Sequence, residues 1–202
     1  MFTMDELLLY EKDKLGEIAK RMGGDSLGQL VGLLSEKDDR LRYQSFLLLQ
    51  HRSAEAEDVY PFWDIFCDKL KSENSYQRSI GLMLIAENAR WDSGNRLDGV
   101  IDDYLMILYD EKPITVRQCI QSLSKILPYK KQLHSKIAGS LMSLDLNSVR
   151  ATMRKSVLLD ILCVLAEIRK SGATEALDKY IFSALNGGLL DKKAVKQVEA
   201  LM

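Results

Sequence analysis

Residues 42–48 read Arg42-Tyr-Gln-Ser45-Phe-Leu-Leu48, an arginine followed by apolar and small residues. The same pattern begins at three later arginines, in the segments Arg78-Ser-Ile-Gly81-Leu-Met-Leu84, Arg117-Gln-Cys-Ile120-Gln-Ser-Leu123 and Arg154-Lys-Ser-Val157-Leu-Leu-Asp160. The spacings between the arginines are 36, 39 and 37 residues. Self-similarity at a near-constant period is typical of repeat arrays. The chain is therefore predicted to be built from repeats.

Each repeat is predicted to be a pair of helices joined by a short turn. Every arginine segment follows a polar break such as Ser35-Glu36-Lys37-Asp38-Asp39, and an amphipathic stretch precedes each break. Neither helix can bury its apolar stripe alone, whereas stacked neighbours bury it continuously. The first helices are predicted at about 26–35, 57–71, 97–110 and 132–144, and the second helices at about 38–52, 75–91, 113–127 and 149–169.

Further helices are predicted at both ends of the array. The first covers about residues 3–22, because Thr3 and Glu6 form a capping box and Gly23-Gly24 ends the pattern. Helices at 173–186 and 190–201 follow the last pair. Pro61 and Pro113 suit first helical turns, where a missing N–H does no harm, and Pro128 ends a helix at Leu127.

The composition indicates a folded chain with reduced thiols. Of 202 residues, 47% are hydrophobic and 28% charged, and the net charge of −1 argues against a dedicated nucleic-acid binder. Cys67, Cys119 and Cys163 are widely spaced within helical patterns, as buried free thiols are, which predicts a cytoplasmic protein. No segment resembles a membrane span or a signal peptide, so no membrane association is expected.

The arginine segments resemble the HEAT-repeat family, whose second helix carries an arginine and, three positions on, a small residue. Leu41-Arg42 with Ser45, and Gln77-Arg78 with Gly81, match both features. Val116-Arg117 and Met153-Arg154 keep the arginine but not the small residue, and the family's turn aspartate is replaced by Glu36, Ser72, Glu111 and Ser148. The resemblance covers roughly residues 26–170.

The resemblance implies an all-α protein, a right-handed α–α superhelix of the HEAT or armadillo kind. It would contain about four to five two-helix repeats with a capping helix at each end, as a single domain over residues 1–202. Residues 88–92 and 110–115 also look like small bacterial HEAT-like proteins of uncharacterised function, some of which carry a SufBD label. This likeness implies no activity.

The predicted first and second helices differ in charge. Counted over residues 26–35, 57–71, 97–111 and 132–146, the first helices sum to −7, and over 38–52, 75–91, 113–127 and 149–170 the second helices sum to +7. In HEAT-like solenoids the second helices line the concave face, which here would form a basic groove. The predicted binding residues are Arg42, Arg78, Arg117 and Arg154, with Arg90 and Trp91 as an anchor. The alternative is that the four arginines bridge to turn carboxylates of adjacent repeats and cover apolar neighbours with their stems.

No catalytic residue, metal site or cofactor is predicted. His51 and His134, the only histidines, lack a ligand-spaced neighbour. The sequence pattern does not predict an exposed cysteine beside cationic side chains, which a reactive thiol would need. Gly23-Gly24 does not form a phosphate loop, and Asp102 and Asp103 point to different sides of a helix.

One stretch supports an enzymatic alternative. Arg90-Trp91-Asp92-Ser93 is loosely similar to the Trp-Asp stretch of alkylpurine DNA glycosylases built from HEAT-like repeats. In those enzymes an aromatic wall and a carboxylate would steady a cationic damaged base. The resemblance implies Trp91 as the wall and Asp92 as the carboxylate here, with Arg117 and Arg154 on phosphates. In the structural alternative, Trp91 packs against the next repeat and Asp92 caps the helix that begins near residues 95–97.

The sequence thus favours a non-catalytic scaffold that binds another protein or an acidic peptide. DNA binding or base excision is the alternative. The expected assembly is a monomer or a weak homodimer formed through an exposed end of the array.

Overall fold

A computed structural model describes residues 3–202, and these residues form helices joined by turns, without a β-strand. The Cα positions group into two compact units that divide after Arg96. The first unit contains α1 (Met4–Leu9), α2 (Leu15–Arg21), α3 (Leu27–Leu33), α4 (Asp39–Glu55), α5 (Trp63–Leu70) and α6 (Ser75–Asn88). The second begins within α7 (Arg96–Met106) and contains α8 (Pro113–Ile126), α9 (His134–Met142), α10 (Ala151–Ser171), α11 (Glu175–Asn186) and α12 (Lys192–Glu199). A helix occurs at each of the eight predicted pair positions, although the one predicted at 57–71 is α-helical only from Trp63, after a 3₁₀ segment over Glu57–Phe62.

Local sequence explains where three of the four second helices begin. The Asp38 carboxylate accepts hydrogen bonds from the backbone N–H groups of Arg40 and Leu41 at the start of α4. The Asn74 side chain caps α6 in the same way, and Pro113 occupies the first position of α8. The first N–H groups of a helix have no partner within it. The Asp38 and Asn74 side chains accept hydrogen bonds from such groups, and proline lacks the N–H altogether. The four second helices therefore start within about two residues of the predicted positions.

The predicted continuous helix over residues 3–22 is wrong. The capping box between Thr3 and Glu6 is present, but α1 ends at Leu9 because Tyr10 is extended, with φ −70° and ψ 127°. The freed carbonyl of Tyr10 accepts a hydrogen bond from Gln44 Nε2 at 2.7 Å. A long-range contact with α4 thus accompanies the break. A short 3₁₀ turn, Lys12–Lys14, then leads into α2.

In the first unit the helices pack as neighbouring pairs. α3 contacts α4 and α5 contacts α6, while α4 and α6, the second helices of consecutive repeats, also contact each other. The largest fully buried side chains of this core are Trp63 and Phe66 from α5. In the second unit α8 and α9 both pack on α10, which also contacts α11 and α12.

Hydrogen bonds within each unit follow the repeat period. Asn88 Nδ2 donates to Ser53 Oγ at 2.9 Å across 35 residues, both side chains being fully buried. In the second unit Lys136 pairs with Asp102 across 34 residues, and Lys155 with Asp191 across 36. Such bonds join corresponding positions of successive pairs, as expected where each repeat contacts its neighbour.

Among the described residues, no helix is long and apolar enough to cross a membrane.

Candidate functional site

Arg42 and Arg78, predicted binding residues of the first unit, bind the turns that precede their own helices. Arg42 Nη1 donates to the carbonyl of Glu36 at 2.8 Å, and Arg78 Nη1 donates to the carbonyl of Ser72 at 2.7 Å. Carbonyls after a helix end have no helical partner. The guanidinium groups supply one, which gives the recurrent arginine a structural reason. Arg42 is also only 9% exposed and is ion-paired with Asp39.

Arg154 and Arg117 are the corresponding residues of the second unit. Arg154 Nε donates to the carbonyl of Val149 at 3.0 Å, which repeats the turn contact. Arg117 instead pairs with Asp160 on α10, with Nε to Oδ2 at 2.6 Å and Nη2 to Oδ1 at 3.2 Å. This bond raises the pKa of Arg117. Three of the four arginines therefore bind carbonyls of their own turns, and Arg117 pairs with a carboxylate within α10.

Arg90 and Trp91 close the end of α4. Trp91 Nε1 donates to the carbonyl of Ser53 at 2.7 Å, and Arg90 Nη1 donates to the carbonyl of Ala54. The Arg90 guanidinium carbon lies 5.1 Å from the Trp91 ring centroid, within cation–π range. The hydrogen bond of Trp91 therefore runs to the preceding repeat. The structural alternative had placed Trp91 against the next repeat.

Asp92 has the predicted capping role. One of its oxygens accepts hydrogen bonds from the backbone N–H of Arg96 at 2.8 Å and from the Tyr60 hydroxyl at 2.7 Å. Burial, together with this bond, raises the pKa of Tyr60 to about 12. Asp92 is only 2% exposed. Its carboxylate is committed to the protein interior, so the geometry does not favour a role in holding a flipped base.

The negative charge of the first helices is partly neutralised within each unit. In the first unit Asp64 pairs with Arg96. In the second, Lys136 pairs with Asp102, and Gln132 Nε2 donates to Asp98 at 3.1 Å. Part of the negative charge of the first helices therefore serves contacts between neighbouring first helices.

A cleft in the first unit offers a more specific site, and we call it the turn cleft. It lies where the α3–α4 turn and the start of α4 face the end of α5 and the α5–α6 turn. Its volume is about 660 Å³, within the usual range for ligand pockets. It is lined by Ser35, Glu36, Lys37, Asp39, Arg42, Ile65, Asp68, Lys69, Ser72, Asn74, Tyr76 and Gln77.

Lys69 is the most unusual residue of the turn cleft. It is 8% exposed, and its ammonium donates to Ser35 Oγ at 3.2 Å and to Gln77 Oε1 at 2.5 Å. Gln77 is itself held by a 2.8 Å bond to the carbonyl of Leu34. No carboxylate of the described residues forms a salt bridge with Lys69. Burial, and secondarily the charge of Arg42, lowers its pKa.

An exposed aromatic ring borders the same cleft. Tyr76 is 66% exposed, and the Arg42 guanidinium carbon lies 5.5 Å from its ring centroid. Three cationic side chains line the cleft and so do three carboxylates, Glu36, Asp39 and Asp68. The cleft is thus locally neutral overall, but its buried part is cationic.

Sequence reasoning identified Arg42 but missed Lys69, Tyr76 and Gln77. A signal for Lys69 was present, because it follows Phe66 by three positions and adjoins the buried stripe of α5. A lysine beside an apolar stripe usually extends its charged end into water. Here the start of α6 covers it together with the α3–α4 turn, whose Ser35 lies 34 residues away.

The thiols lack the electrostatics of a nucleophile. Burial is the main cause that raises the pKa of all three, that of Cys67 to about 11. A reactive thiol needs a lowered pKa. They form no disulfide, and Cys119 alone is fully buried. No group of three or more His, Cys, Asp or Glu side chains in the described part of the chain is arranged to hold a metal ion.

Replacing Lys69 by methionine should raise the free energy of unfolding by about 1–2 kcal/mol near neutral pH, because a buried charge without a counter-ion is removed. The folded pKa of Lys69 lies below 10.5. Between the folded and unfolded pKa values the unfolded chain binds more protons, so wild-type stability rises with pH there. The advantage of the variant should therefore shrink as the pH approaches about 10.5.

Urea unfolding at a series of pH values measures this effect. Lys37→Met, at an exposed lysine of the same cleft, is the matched control and should change stability little at any pH. An advantage of Lys69→Met that stayed constant up to high pH would contradict a buried, charged Lys69.

No family model matches the chain, and no curated protein sequence is significantly similar to it.

Proposed function

We propose that this chain is a HEAT-like scaffold that binds an acidic segment of another protein and has no catalytic function of its own. The proposal includes the predicted architecture, a single right-handed solenoid of two-helix repeats over residues 1–202. It also includes a cytoplasmic location.

Side-chain bonds at the repeat period support the architecture. They occur within both units, between corresponding positions of successive helical pairs. In a repeat array each repeat stabilises its neighbours through such contacts, and extended surfaces remain for binding. The arginine contacts to turn carbonyls occur in both units as well.

The turn cleft is the observation that carries the binding proposal. It combines the buried cations of Arg42 and Lys69 with the exposed ring of Tyr76. Arginine and tyrosine are enriched at protein interfaces and among their strongest contacts. A second exposed ring, Tyr43, stands next to Arg42 in sequence on α4 and lies 4.9 Å from Lys12 Nζ. Cations beside exposed aromatic rings suit a partner with carboxylates and apolar side chains.

The other predicted binding residues stay in the proposal as weaker contacts. Arg78 and Arg154 hold turns, Arg117 is ion-paired, and Arg90 and Trp91 close α4. Reversing one of these charges would also remove its structural contact. Tyr76 is a cleaner probe, because its side chain is mostly exposed.

We expect a fluorescent peptide of alternating glutamate and leucine to bind the full chain, and Tyr76→Ala to weaken that binding about tenfold, as loss of an interface aromatic does. Fluorescence anisotropy at two salt concentrations measures the affinity. Tyr109→Ala, at a 57% exposed tyrosine of the second unit, is the matched control and should bind as wild type does.

Two results would contradict the proposal. One is equal binding of a peptide in which glutamine replaces glutamate. The other is tighter, salt-dependent binding of duplex DNA, which would favour the nucleic-acid alternative.

A further inference from the structure

We propose that the turn cleft is a subsite for a single carboxylate carried on an apolar group, with the Lys69 ammonium as its main contact and Arg42 as a second donor. The inference rests on the proposed function, because the expected source is an aspartate or glutamate side chain of the bound partner. It identifies the turn cleft as the place on the scaffold where an acidic group of the partner binds.

The unfilled bonding capacity of Lys69 is the first argument. An ammonium has three N–H donors, and two of them reach the neutral acceptors Ser35 Oγ and Gln77 Oε1. The third has no acceptor, and no carboxylate of the described residues lies within ion-pair distance of the ammonium. A charge this buried is costly unless it is paired. A ligand carboxylate would supply both the missing acceptor and the missing charge.

Arg42 supplies a second donor on the same cleft. It has five N–H donors, of which it uses one on Nη1 for the Glu36 carbonyl and one on Nη2 for Asp39. The positive charge of Arg42 also contributes to lowering the pKa of Lys69. A bound anion facing both cations would reduce this repulsion. Binding should therefore raise the pKa of Lys69.

The other charges of the cleft favour a monoanion over a phosphate. Glu36, Asp39 and Asp68 line it together with Lys37, Arg42 and Lys69, so carboxylates and cations are equal in number. A phosphoryl group carries about −1.5 to −2 charges near neutral pH, and the three carboxylates would repel it more strongly than a carboxylate. Ile65 and Tyr76, 42% and 66% exposed, offer apolar contact for the body of the ligand.

The test uses the full chain with ¹³C-labelled lysine and three probes: hexanoate, n-hexanol and inorganic phosphate. We expect hexanoate to shift the Lys69 Cε resonance saturably in the millimolar range, which is usual for so small a ligand, and to raise the titration midpoint of Lys69. Hexanol has the same apolar body without the charge and should leave this resonance unchanged. Phosphate should bind at least about tenfold more weakly than hexanoate.

Variants separate the subsite from the general attraction of the surface. Lys69→Met should weaken hexanoate binding at least about tenfold, followed on the Tyr76 ring resonances, because it removes a charge-assisted hydrogen bond. Lys37→Met, at the exposed lysine of the same cleft, should change it less than about threefold. Circular dichroism checks that both variants remain folded.

Several outcomes would overturn the inference: no shift of Lys69 with hexanoate, an equal shift with hexanol, or tighter binding of phosphate. Failure of the subsite is distinguishable from failure of the scaffold. Acidic-peptide binding that depends on Tyr76 but is unchanged in Lys69→Met would refute the subsite alone. Hexanoate binding at Lys69 without any acidic-peptide binding would refute the scaffold proposal and leave the subsite standing.

Discussion

Replacing Asp160 by alanine should lower the free energy of unfolding by about 3 kcal/mol, because it leaves a partly buried arginine without its counter-ion. Asp160 accepts hydrogen bonds from Arg117 Nε at 2.6 Å and from Gln121 Nε2 at 3.0 Å, so it joins α10 to α8 at two points. The exposed fractions of the Asp160 and Arg117 side chains are 11% and 28%. This partial exposure of Arg117 places the expected loss at the lower end of the range for buried pairs.

Urea unfolding of the full chain measures the loss. The matched control is Lys155→Ala, which breaks the pair between Lys155 and Asp191, another contact one repeat apart. Those side chains are 47% and 56% exposed, so the control should cost less than about 1 kcal/mol. In a double-mutant cycle, Arg117→Ala should add little to Asp160→Ala, because both remove the same interaction. Equal losses for the two aspartate–cation pairs, or full additivity in the cycle, would show that burial does not set the strength of these contacts.

Replacing Gly81 by alanine should lower the free energy of unfolding by about 2 kcal/mol. A Cβ atom at this position would lie 2.6 Å from the carbonyl oxygen of Phe66 and 2.9 Å from Lys69 Cβ. The first neighbour is backbone, so relief requires α5 and α6 to move apart. Alanine favours a helix over glycine by about 1 kcal/mol, and the steric cost must exceed this gain.

Gly139 is the control for this prediction. It lies within α9, and nothing would lie within 4 Å of an added Cβ. Gly139→Ala should therefore be neutral or stabilising by up to about 1 kcal/mol. Similar gains for both variants would disprove the close approach of α5 and α6. A Cβ atom added at Gly81 would contact Lys69 Cβ. Gly81→Ala should therefore also shift the Lys69 Cε resonance.

Helix positions were predictable from the sequence because their signals are local. Pro113 marks the first turn of α8, and the Asp92 cap bonds the N–H four residues on. The error at the N-terminus has a non-local cause. The pattern over residues 3–22 is continuous, but α1 ends before Tyr10, whose carbonyl binds Gln44 on α4. A helical pattern cannot report a contact made 34 residues away.

The candidate site shows the same division. The period of the arginines was visible, and it drew attention to four residues that mostly hold turns and helices together. Lys69, the buried cation on which the proposed subsite depends, has no counterpart in that pattern. Its partners Ser35 and Gln77 lie 34 and 8 residues away. Only their arrangement around it makes an ordinary surface-type residue into a buried cation.

The sequence alone thus determined the all-helical class, the starts of the second helices and the near-constant period, since caps, prolines and apolar spacing act over a few residues. The tertiary structure decided which carbonyl each arginine binds, why glycine is needed at position 81, and that Lys69 lies in a cleft. These features depend on atoms of different helices and turns, and such proximity arises only when the helices pack.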